Sequence, residues 1–223
     1  MSNPIDLTTI ANVQGWISSN GPQSAWSATE LQIIQDCITA FSLYVLQLTG
    51  RGNADGSVPT ASPFVTPVAY DEFYDGNGND QLPLNNWPIT AVAAVIDTGY
   101  TIPQSTSTTS PGWVVDQSHK FIVLRYGGTL YSRGWRGRGG SARVGFTLGT
   151  QNIEVQYTAG FNGIPFDLEM LARKIVGLNY RRRGWIGQKS QAMAMGAGTV
   201  NYGTWEMDDQ DQRVLAYYMT RAA

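Results

Sequence analysis

Residues 151–185, QNIEVQYTAGFNGIPFDLEMLARKIVGLNYRRRGW, constrain the fold most, because they demand a strand, a turn and a helix in immediate succession. Ile153, Val155 and Tyr157 alternate with Glu154, Gln156 and Thr158, the period of a half-buried strand. Ala159-Gly160 and Asn162-Gly163 break that period. Pro165 suits a first helical turn, and Asp167 and Glu169 place negative charge at the positive end of the helix. Leu168, Leu171, Ala172, Ile175 and Leu178 form one apolar stripe, and Arg181, Arg182 and Arg183 load the last turn before Gly184. A helix over 167–183 therefore follows directly on a β-region and must pack on something.

That something is supplied upstream. Ser27-Ala28-Thr29-Glu30 is a capping box, in which the Ser side chain and the Glu side chain each satisfy a backbone N–H of the other. Behind it Leu31, Ile34, Ile38, Phe41, Val45 and Leu48 recur at helical spacing, with Gly50 at the position after the C-cap. A shorter helix bearing Leu7, Ile10, Val13 and Ile17 precedes it, with Asp6 as the expected cap, and Asn20-Gly21-Pro22 turns the chain between the two.

Between the helices the period changes to two. Strands are expected at 64–74, 81–84, 92–96, 113–115, 121–126, 144–148 and 153–157, with a turn at 75–79 and a mobile loop at 103–112. Residues 187–206 show no period. Asp208-Asp209 caps a last short helix carrying Val214, Leu215, Tyr218 and Met219. The chain is thus expected to be α+β: an N-terminal helical hairpin (1–50), an inserted antiparallel β-module (64–160), a helix completing the bundle (163–189) and an extended C-terminal arm with a short helix (190–223).

Charged residues make up only 14%, well below the roughly 25% of ordinary soluble domains. A neutral polar surface of this kind suits a subunit of an assembly, and equally a plain secreted β-protein. The net charge of −2 hides a segregation: residues 1–119 sum to −9, residues 120–189 to +9 and residues 190–223 to −2. That pattern fits acidic-to-basic association between copies or a basic surface near nucleic acid, and it fits equally the pairing of the two portions within one molecule. A single cysteine, Cys37, excludes an internal disulfide and reads as a buried structural thiol. A single histidine, His119, excludes a multi-histidine metal site. The N-terminus shows no basic or apolar signal region, and no apolar run approaches the ~20 residues of a membrane span, so a soluble protein made in the cytoplasm is expected.

Catalytic chemistry finds little footing. Asp71 and Glu72 are adjacent on a strand and point to opposite faces, and Ser118-His119 lacks a nucleophile elbow. Asp75-Gly-Asn77-Gly-Asn79-Asp80 resembles the start of a calcium loop, but Asp80 and Asn86 stand where Gly and Glu belong, and a hairpin turn explains the same residues. We therefore expect no enzyme activity, no cofactor and no metal. The loop Arg133, Trp135, Arg136, Arg138, Arg143 combines guanidinium groups with one aromatic ring, fit for phosphate and base stacking, for a subunit interface, or for a solvated hairpin tip. Arg181, Arg182 and Arg183 complement a helix C-terminus and are a second basic patch.

Three phrases carry a resemblance: the helix ending in LQLTGR at 46–51, YDEFYDGNGNDQLPLNNWPITAVAAV at 70–95, and VQYTAGFNGIPFDLEMLARKIVGLNYRRR at 155–183. With the order of elements, they make the chain similar to the head–tail connector proteins of tailed bacteriophages, also called adaptor or head-completion proteins. The resemblance covers about two thirds of the chain. It implies a ring of roughly twelve copies beneath the portal at the neck of the virion. It also implies a C-terminal arm docked on the portal protein and an opposite face receiving a stopper or tail-completion protein. DNA would pass through the channel without sequence recognition, and no membrane is involved. On that reading Trp205, Met207, Leu215, Tyr218 and Met219 anchor the arm, unless the last helix packs back on its own bundle. Truncation after Ser190 is expected to leave a folded protein. The rival reading is a β-rich module binding nucleic acid or carbohydrate through residues 133–143.

Overall fold

The computed structural model describes residues 3–18, 26–52, 59–107, 109–125, 145–183, 190–192, 199–201 and 207–219. In chain order the elements are α1 (Ile10–Ile17), α2 (Ala28–Leu48), β1 (Val68–Gly76), β2 (Gln81–Pro83), β3 (Ile89–Asp97), β4 (Tyr100–Thr101), β5 (Gly112–Val115), β6 (Phe121–Arg125), β7 (Gly149–Ala159), α3 (Phe166–Arg182), β8 (Ser190–Ala192), β9 (Thr199–Asn201) and α4 (Asp209–Tyr218). The architecture is α+β. Residues 1–60 and 164–219 form one compact unit, and residues 61–163 form the other.

The helical unit is built from local signals that the structure realises one by one. Ser27 and Glu30 make the full capping box of α2. Its far end is a Schellman motif: Gly50, at φ 71°, donates to the carbonyl of Gln47, and Arg51 donates to that of Leu46. Ile34, Ile38, Phe41, Val45 and Leu46 are buried along α2. By length and mean hydropathy this helix is long and apolar enough to cross a membrane, contrary to the expectation that no apolar run approaches that length. Helix α3 buries Leu168, Leu171, Ala172, Ile175 and Val176, while Pro165 stands just outside it as the N-cap. At Gly177 an added Cβ would lie 3.0 Å from the Trp16 ring, so α1 crosses α3 where there is no side chain.

Asp6 does not cap α1. Thr9 does, accepting from the Asn12 N–H. Asp6 is buried and accepts instead from Gln35 Nε2 at 2.7 Å, Thr39 Oγ1 at 2.9 Å and the Asn3 N–H at 2.7 Å, clamping the N-terminal turn onto α2. The helix start lies three residues further on because Thr9, not Asp6, has extended backbone followed by helix. The connection at 19–25 lies outside the described residues.

The β-unit has two antiparallel sheets, β1-β7-β3-β4 and β2-β6-β5. Leu82, Leu84, Ile122, Leu124 and Trp113 of one meet Val95, Ile153, Val155 and Tyr157 of the other in a single core. Strand β7 alternates buried and half-buried residues from Ile153 to Ala159, as its period predicts. Three expectations change. The turn at 75–79 is not a hairpin between paired strands: β1 pairs with β7 and β2 with β6, so the chain switches sheets there. Asn77 and Gly78 (φ 71°) build that corner, with the Asn77 side chain bonded to Asn79 N and Gln81 O. The run 144–148 is no strand: Val144 is not described, and residues 145–148 are irregular, their backbone held by Asn79 O, Asp97 and Asn152. Residues 64–67 form a turn bonded to Ser62, and the strand begins at Val68. The loop after β4 is fastened by the Ser110 hydroxyl, which accepts from the N–H groups of Thr106 and Ser107.

Candidate functional site

The residues that the sequence singled out fall in three places. Arg133, Trp135, Arg136, Arg138, Arg143 and Trp205 lie outside the described residues, as do Tyr126 and the rest of 126–144. The backbone of Arg182 is the end of α3, and its side chain is not described. Arg181, Arg183, Met207, Leu215, Tyr218 and Met219 belong to the helical unit, and Asp71, Glu72, Ser118 and His119 to the β-unit.

Helix α4 starts at Asp208, whose carboxylate accepts from the Asp211 N–H. Lys174 of α3 reaches across to both acids, 2.7 Å from Asp208 and 2.8 Å from Asp211. The Asp208 and Asp211 hydrogen bonds raise the Lys174 pKa, and the Lys174 bond lowers that of Asp208. At the other end the Tyr218 hydroxyl donates to Asp167 at 2.7 Å, and Arg51 Nε donates to the Tyr218 carbonyl at 3.2 Å. Burial, then the Asp167 carboxylate, pushes the Tyr218 phenol up. Leu215 is 1% exposed and Tyr218 4%. The last helix thus packs back on its own bundle, and these two side chains are core residues. Truncation after Ser190, expected to leave a folded protein, would remove the α4 partners of Asp167, Lys174 and Arg51.

Along the outer side of this packing runs a groove of about 960 Å³. Cys37, Phe41, Tyr44 and Leu48 of α2 form one wall, and Gln212, Leu215, Ala216 and Met219 with Met207 form the other. Tyr44 and Leu48 are exposed, as is Met219 at 42%. Three of the five predicted anchors, Met207, Leu215 and Met219, therefore line one concave apolar surface. Tyr217, 62% exposed beside it, went unnoticed because the period of α4 assigns it to the solvent face. Cys37 is half-buried on the groove wall rather than inside the core. Burial, then the neighbouring Asp36, pushes its thiol up, away from the reactive thiolate.

The basic end of α3 is committed to the bundle. Arg181 donates to the Ile17 carbonyl at 2.6 Å, capping α1, and Arg183 lies 3.4 Å from Glu30 and 3.8 Å over the Tyr180 ring. The Ser27 N–H, then the Tyr180 and Ser27 hydroxyls, hold the Glu30 carboxyl at about 2. Acidic and basic stretches of the sequence pair here within one molecule, at Lys174 with Asp208 and Asp211 and at Arg183 with Glu30.

In the β-unit a polar cluster forms around Glu72. Glu72 accepts from the hydroxyls of Tyr74 and Tyr157, the latter at 2.6 Å, and from Asn86 Nδ2 at 3.0 Å. Asn85 and Asn86 donate their N–H groups to the same two phenols. Burial pushes both tyrosines well above the ordinary phenol range. Asp71, on the opposite face of β1, is exposed, so the two carboxylates do not converge. His119 Nδ1 is bonded to the Ile89 carbonyl at 2.8 Å, and Ser118 to Asp116, within the β5–β6 turn. Among the described residues no group of three or more His, Cys, Asp or Glu side chains is placed to hold a metal ion.

No family model matches this chain, and no curated protein sequence matches it. Among solved structures it is similar to a chain of the "Neck of native GTA particle computed with C12 symmetry", with 13% identity over 96% of this chain and 92% of that one and a TM-score of 0.39. At that score the two backbones differ too much for fold or function to be carried from one to the other.

Proposed function

We propose that this chain is a structural adaptor of the neck of a tailed-phage virion, with no catalytic role. It is made in the host cytoplasm, assembles as a ring beneath the portal protein, joins the capsid to a stopper or tail-completion protein, and surrounds DNA without reading its sequence. The observation that carries this reading is the groove between α2 and α4. It gathers Met207, Leu215 and Met219 of the C-terminal arm against Tyr44 and Leu48, an apolar concavity with a polar rim of Asp209, Gln212 and Arg213. Such a surface fits an apolar segment of a partner, with side chains at its centre as anchors. The docking role passes from the buried Leu215 and Tyr218 to the exposed residues around them.

The test is to mix the purified protein with the portal of its parent particle and image the product by electron microscopy. A stacked ring is expected. Tyr44→Glu with Leu48→Glu, both at exposed positions, should abolish it while leaving the circular dichroism spectrum unchanged. Absence of any complex with the unaltered protein, together with salt-sensitive DNA binding, would overturn the adaptor reading and favour the basic loop at 133–143.

A further inference from the structure

We infer that the outer edge of β1, from Asp71 to Asp75, accepts the β8–β9 hairpin of a second copy of this chain; the inference rests on the ring reading above. Among the described residues, strand β1 ends its sheet, with β7 on one side only. It is nine residues long, whereas the other outer strands, β4, β2 and β5, have two, three and four. An edge strand leaves every second N–H and C=O facing outward. Among the described residues, Val68, Ala69 and Asp71 to Asp75 make no backbone-to-backbone bond beyond the ladder with β7. Asp71, Phe73 and Asp75 are exposed along this strand.

The acids decide what the edge can take. Antiparallel pairing of two β1 strands about Phe73 would set Asp71 of each copy opposite Asp75 of the other, and like charges directly opposite repel. An added strand must be neutral or basic. The hairpin meets that requirement. Its strands, Ser190-Gln191-Ala192 and Thr199-Val200-Asn201, contain no charge, and Lys189 precedes the first of them. Among the described residues it is a sheet of two strands, a structure only marginally stable until a third strand joins it. Strand addition would extend both the β1–β7 ladder and the two-stranded hairpin. Donor and acceptor are different surfaces, so the contact is heterologous. It propagates from copy to copy and closes as a ring if the rotation permits.

The experiment uses full-length chains carrying Cys37→Ser and one new cysteine each. Copies with Phe73→Cys are mixed with copies carrying Gln191→Cys and treated with a short bismaleimide, both free at high concentration and assembled on portal. A covalent dimer is expected in at least one of the two samples, at tenfold or greater yield over an Ala93→Cys control on the exposed face of β3. Asp71→Lys with Asp75→Lys should cut that yield back towards the control. A yield equal to the control in both samples overturns the inference. So does cross-linking of the double variant Phe73→Cys/Gln191→Cys within single chains only. Rings on portal without the cross-link would sink this contact and leave the adaptor reading standing; absence of rings in the microscope tests that reading separately.

Discussion

In the helical unit, four buried polar side chains join one helix to another or to the chain end beside it, while Thr49 bonds back to carbonyls of its own helix. Asp6 holds Gln35 and Thr39, Ser42 accepts from the Leu7 N–H, Arg51 holds the end of α4, and Asp211 holds Lys174. In the β-unit, the corresponding group, Glu72 with Tyr74, Tyr157 and Asn86, fastens a loop onto strands that are already paired through their backbones. The difference follows from where the backbone hydrogen bonds go. A helix satisfies its own N–H and C=O groups, so nothing in its backbone fixes how it lies on its neighbour. A sheet places each strand by the ladder itself. Helices this short, α1 of eight residues and α4 of ten, need polar clamps to fix their orientation.

The largest test of this contrast removes a clamped element. Truncation after Ser190 takes away Leu215 and Tyr218, and the loss of two buried side chains should cost the helical unit about 3–6 kcal/mol. Chemical denaturation followed by far-ultraviolet circular dichroism reads it. A truncated chain as stable as the whole would show that the clamps on α4 carry no weight. Next, Ile153→Ala, at a fully buried position of β7, should cost about 2–5 kcal/mol, all of it in the β-unit. If the helical signal melts earlier to the same extent, the two units unfold as one block and the contrast is void.

Acid sharpens the comparison at one residue. The Glu30 carboxyl is held at about 2 in the folded chain against its ordinary 4.5. A lowered carboxyl stabilises the fold above the unfolded value and loses that contribution as pH falls through the folded one. The helical unit should therefore weaken between pH 4.5 and about 2, and Glu30→Gln should flatten that limb in a melting-temperature series against pH. The smallest effect is expected for Arg183→Ala. Its partner Glu30 lies at 3.4 Å, and both side chains are more than a third exposed, so the melting temperature should move by about 2 °C or less. A larger drop would mean that the stacking of Arg183 on Tyr180 matters more than the ion pair.

Sequence reading found what local signals encode. The Ser27 box, the Gly50 stop, the Asp208 cap and the alternation of β7 are each written in a few neighbouring residues, and each is realised. It missed what depends on partners distant in the chain. Nothing local tells that the strands flanking Asp75–Asp80 join different sheets, because hairpin and corner use the same Asn and Gly residues. Nothing local tells that Asp6 turns towards Gln35 and Thr39 rather than capping its own helix. The groove was half legible: α4 gave its apolar residues, but their period does not say which side faces the bundle. On the opposite wall Phe41 and Leu48 belong to the apolar stripe read in α2, whereas Cys37 and Tyr44 lie beside it.

The insertion of the β-unit between α2 and α3 has a consequence for synthesis. The β-unit is one continuous stretch, residues 61–163, whereas the helical unit needs residues on both sides of it. On the ribosome, α2 emerges with its apolar face bare and waits for about a hundred residues before α3 appears, on the order of 5–20 s at ordinary elongation rates. During that interval the β-unit is free to fold, while α2, the longest helix among the described residues, is exposed. The nascent chain is thus expected to be a client for a holding chaperone over one defined interval, between the emergence of α2 and that of α3.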